Sequence, residues 1–148
     1  MLNHDVVEFV RRGYCGASTE FLVNVTTLAT FRECLRAIRR YNRFDAEEVI
    51  GLLSEDLFGK LRWVQVGRAT SPLIVARIAS ETYQQRDRTE SENRLIPAEG
   101  MQRTARQLMK VGRRSGAESV TWIDEDGGVR EGRPREDARP HTVRLWWR

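Results

Sequence analysis

Five cationic side chains recur at helical spacing along GMQRTARQLMKVGRRSG, residues 100–116. At roughly 100° per residue, Arg103, Arg106, Lys110, Arg113 and Arg114 share one half of the helix with Gln107. Met101, Thr104, Ala105, Leu108, Met109, Val111 and Gly112 fall on the other half. From Met101 to Arg114 there is no carboxylate. Exposed helices usually intersperse Glu, because like charges at i,i+4 cost about 0.2–0.5 kcal/mol and opposite ones return as much. A row of uncompensated guanidinium groups has the chemistry of a phosphate-backbone contact, with bidentate donors and affinity through counterion release. The same row has two plainer uses: a solvated face, or docking on an acidic protein surface. Lys110, Arg113 and Arg114 also sit in the last two turns, where cations suit the helix dipole. The acidic turn Asp124-Glu125-Asp126 is available to relieve the repulsion.

A second row is Arg32, Arg36, Arg39 and Arg40, continued by Arg43. It rides on a helix predicted from Thr26 or Thr27 to about Tyr41, whose other side carries Phe31, Cys34, Leu35 and Ile38. Two such helices on one sheet face would form a continuous strip. Trp146 and Trp147 fall on opposite faces of a final strand. One belongs to the core. The other, beside Arg144 and Arg148, would stack on a base or cap a duplex end, or else pack under the 133–140 loop or in an oligomer interface.

Other chemistries find little support. His4 and His141 are the only histidines, and Cys15 and Cys34 stand 19 apart with no CxxC, so no zinc site is expected. Cys34 reads as a small buried hydrophobe. No GxSxG, P-loop or GxGxxG occurs. DEDGG lacks the later Glu of a calcium loop and reads as a turn. The expectation is a non-enzymatic protein with no cofactor and no metal.

Net charge is +4, which permits nucleic acid without diagnosing it. The 23 Arg against two Lys suit phosphate contacts, and GC-rich codon usage also explains them. The first twenty residues include Asp5, Glu8, Arg11 and Arg12, so no signal-peptide core is read there. No apolar run approaches the roughly 18 residues of a membrane span. The expected setting is cytoplasmic, or host cytoplasm or nucleus for a viral product, with thiols reduced.

The elements that must position these groups follow from pattern and caps. Asn3 caps a helix stopping at Gly13; TEFLVNV (19–25) alternates as a strand; Asp45 opens a helix ending near Gly59. LRWVQVG (61–67) and PLIVARIAS (72–80) are strands, the second apolar enough to be central. Residues 84–94 contain no apolar side chain and form a loop. The cationic helix spans about 97–114. ESVTWIDEDGGVREG makes two strands around Asp126-Gly127-Gly128, 133–140 is a charged loop, and HTVRLWW (141–147) is the final strand. The expected fold is a single α+β domain over 1–148, a two-layer sandwich of a mostly antiparallel sheet with helices on one face.

A strand, two helices, strands, then a helix running through RRSGAESVTWID into a strand is similar in order to acyl-CoA N-acetyltransferases. That family carries a glycine-rich pyrophosphate loop, Q/R-x-x-G-x-G/A, before the helix. ENRLIPAEGMQRTA has one Gly there, so the likeness implies no cofactor. Three expectations stand in order. The first is backbone binding of nucleic acid by the cationic helix. The second is a structural or inhibitory protein of phage or viral type, acting by self-assembly or docking, with the Trp146–Trp147 strand as an edge. The third is a divergent acetyltransferase-like enzyme.

Overall fold

The structure, a computed structural model, describes residues 2–15, 20–79 and 98–148. Among the described residues, five helices and eight strands follow in chain order: α1 (His4–Cys15), β1 (Phe21–Val25), α2 (Leu28–Ile38), β2 (Arg40–Tyr41), β3 (Phe44–Asp45), α3 (Ala46–Leu52), α4 (Glu55–Gly59), β4 (Leu61–Ala69), β5 (Ser71–Ile78), α5 (Ala98–Arg114), β6 (Ser119–Ile123), β7 (Val129–Glu131) and β8 (Thr142–Trp146). Six strands form one antiparallel sheet in the order β1-β4-β5-β8-β6-β7, and β2 and β3 form a separate hairpin. The fold is α+β in two layers, as the pattern predicts.

Strand alternation decides which face meets the helices. Val64, Val66, Ile74, Ala76, Val143, Leu145 and Trp122 share one hydrophobic cluster with Val10, Phe31, Leu35, Ala105, Leu108 and Met109 from the helices. Their neighbours in sequence, among them Leu73, Arg144 and Trp146, point to the opposite face. That second face carries Leu22, 45% exposed, and Val129, 61% exposed. Gly67 lets β1 approach β4, because a Cβ there would stand 1.9 Å from the Phe21 carbonyl oxygen.

Several boundaries differ from the sequence reading. Thr27 caps α2 through its side chain, which accepts from the Thr30 amide. The helix ends at Ile38, because Arg39 takes a left-handed φ of 63° and the chain reverses in a hairpin at Asn42. The single helix expected over 45–59 is two, since Ser54 recaps the chain by accepting from the Leu57 amide. α1 continues through Gly13. The expected loop 84–94 lies outside the described residues. The final strand pairs with β5 on one side and β6 on the other. It is therefore central, and the expected edge at Trp146 and Trp147 is corrected: the edges are β1 and β7.

Candidate nucleic-acid interface

α5 lies across β5, β6 and β8 with its apolar side down; Ala105, Leu108 and Met109 are at most 1% exposed. Gly112 sets the close approach, for a Cβ there would meet Leu145 Cδ2 at 2.6 Å and Val120 Cγ2 at 3.0 Å. The helix stops where Gly116 takes a φ of 80° and the Ala117 amide donates back to the Gly112 carbonyl at 2.8 Å. From Met101 to Arg114 the exposed side chains are then Arg103, Arg106, Gln107, Lys110, Arg113 and Arg114, the same partition that helical spacing predicts.

None of these five cations forms an ion pair among the described residues. The acidic turn expected to relieve them is occupied elsewhere. Arg130 holds Asp126 at 2.9 Å and Asp124 at 3.5 Å, and Arg139 stands 3.9 Å from Glu125. The Gly128 amide and Arg130 together hold the Asp126 carboxyl below its ordinary range.

Sequence reasoning missed Gln102. It is 2% exposed, and its Nε2 donates to the carbonyls of Arg135, Glu136 and Ala138. Its Oε1 accepts from Arg106 Nη2 at 2.8 Å. One buried amide thus fixes the 133–140 loop against α5 and orients Arg106 without neutralising it. The only sequence signal was a polar residue beside the apolar stripe.

The second arginine row does not form a helical strip. Arg36 is tied to Glu33 at 2.7 Å and to Glu47 of α3 at 3.0 Å. Arg32 is half-buried, with an Nε that has no hydrogen-bond partner. Arg39 caps α2, and Arg40 opens the β2–β3 hairpin; both are exposed. α3, whose first turn holds Glu47 and Glu48, packs on both α2 and α5.

The two tryptophans part as alternation requires. Trp147 is 0% exposed, stands edge-on to Phe44 with ring centroids 5.1 Å apart, and donates to the Ser115 carbonyl at 3.1 Å. Trp146 is half-buried on the far face of the sheet, donating to the Ala69 carbonyl at 2.8 Å, in a shallow groove of about 280 Å³ with Leu73, Thr121, Val129 and Arg144. The sheet separates it from α5, so the two candidate surfaces are distinct.

A further buried cation also escaped the sequence. Arg68 is 9% exposed and lies 5.3 Å and 5.4 Å from the ring centres of Tyr14 and Tyr41. It donates to the Gly13 carbonyl at 3.1 Å, the Tyr41 hydroxyl at 3.1 Å and the Thr70 carbonyl at 3.4 Å. The carbonyl end of α1 and two π faces take the place of a counter-ion. This cluster binds α1 to β4. Burial raises the Tyr14 phenol above its ordinary range, with Arg68 opposing.

Among the described residues no group of three or more His, Cys, Asp or Glu could hold a metal, and no helix is long and apolar enough to cross a membrane. Comparison with protein-family models, curated proteins and solved structures finds no match for this chain.

Proposed function

We propose that the protein binds the phosphate backbone of a nucleic acid through the exposed side of α5. The observation that carries this reading is the composition of that side from Met101 to Arg114: five cations and one amide, without a carboxylate partner among the described residues. Leaving such a row uncompensated costs the helix stability, a cost that binding a polyanion removes. Arg106, steadied by Gln102, presents a guanidinium whose orientation is set before a phosphate arrives.

The test is a triple variant, Arg103→Glu, Arg106→Glu and Lys110→Glu. Binding to labelled DNA and RNA is expected to disappear while the melting temperature does not fall. Unchanged affinity for both polymers would reject the reading.

A second reading is self-association through the far face of the sheet, favoured by the exposure of Leu22 and Val129 and by the Trp146 groove. Sedimentation separates the two. A concentration-dependent oligomer indifferent to added nucleic acid belongs to the second.

A further inference from the structure

The exposed cationic side of α5 has neighbours along its flanks. α3 and α4 contact the helix on one flank, and the 133–140 loop, held by Gln102, lies against it near its N-terminal half. Between α4 and α5 runs a groove of about 190 Å³. Its floor is apolar, made by Leu52, Leu57 and Val111. Its rim carries Lys110, Arg114, Gln107 and the Ser54 hydroxyl. One carboxylate, Asp56, also reaches the rim and is paired with Lys60 at 3.4 Å. A mixed groove, with aliphatic side chains beside phosphate-seeking cations, an amide and a hydroxyl, suits a base turned toward the protein, which an intact duplex does not present, with its phosphate beside the cations.

On the strength of the nucleic-acid reading above, we infer that the groove between α4 and α5 receives one nucleotide of an unpaired strand, so that the protein prefers single strands to duplexes. Lys110 and Arg114 take the flanking phosphates. Leu52, Leu57 and Val111 cover the sugar or base. Gln107 and Ser54 supply hydrogen bonds to a base edge, which gives the site a means of base preference that a bare cationic strip lacks.

Fluorescence anisotropy with a labelled DNA strand of about 16 nucleotides, alone and annealed to its complement, tests this. The single strand is expected to bind roughly tenfold tighter. Ser54→Asp keeps the helix cap and places a carboxylate on the rim; it is expected to weaken single-strand binding roughly fivefold. Asn24→Asp makes the same charge change on β1, on the far face of the sheet, and is expected to leave affinity within about twofold. Equal or tighter duplex binding, or equal effects of the two variants, would overturn the groove and leave backbone binding standing. No binding of either polymer by the unaltered protein would remove both.

Discussion

Arg77 Nη1 donates to His141 Nδ1 at 2.8 Å, and Thr142 Oγ1 stands 2.7 Å from the same nitrogen. With its lone pair occupied and a cation beside it, the ring is held neutral. Burial first, and Arg77 second, lower the His141 pKa from its ordinary 6.5. The unfolded chain therefore binds a proton at a pH where the folded one does not. Stability from this residue is complete above pH 6.5 and is lost as pH falls through the lower folded value. Melting temperature is expected to decline on acidification below 6.5, and His141→Asn, whose Oδ1 can accept from Arg77, should decline less; differential scanning fluorimetry over a pH series measures both. Cys34 offers a second check at this scale. Its thiol is 0% exposed, and burial raises its pKa to about 11. Native protein should leave Cys34 unmodified by iodoacetamide at neutral pH, while denatured protein modifies it, as peptide mass spectrometry would report.

The contact of α5 with the sheet hangs on Gly112 as much as on its leucine and methionines. Gly112→Ala drives a methyl group into Leu145 and Val120, and is expected to cost about 1–3 kcal/mol by urea denaturation although alanine favours helices. Nothing in the helical pattern announces this, because the need arises from β6 and β8 across the interface. The same asymmetry runs through the whole molecule. Which side of α5 is wet, which strand is central at β5, and which helix Thr27 caps all follow from local spacing and chemistry. Strand order does not, for β8 finds its place between β5 and β6 only through pairing distant in sequence. The arginines of 32–43 do not share one helix for a related reason: Ile38 ends the helix, and Glu47 reaches Arg36 from another element. Gln102 and Arg68 were hidden because most of their hydrogen-bond partners are backbone carbonyls, which leave no trace in side-chain pattern.

For the molecule as a whole the decisive quantity is charge. Each Arg or Lys changed to Glu removes two units, so the triple α5 variant moves the net charge from +4 to about −2. Without nucleic acid, its melting temperature should respond less to added salt than that of the unaltered protein, whose helix repels itself. With a single strand bound, five phosphate contacts imply a slope of log K against log salt of about −3.5, and loss of any one contact should flatten it by about 0.7. A slope near zero in the unaltered protein would mean that α5 meets no polyanion.

Because β8 separates β5 from β6, the sheet closes only when residues 142–146 arrive. A chain emerging from the ribosome must keep the 71–78 ribbon and the 119–131 hairpin apart, each with a bare row of amides, until the last strand slots between them. Premature termination anywhere before that segment leaves two sticky margins on one polypeptide. Such fragments should clump or be degraded rather than persist as smaller folded pieces.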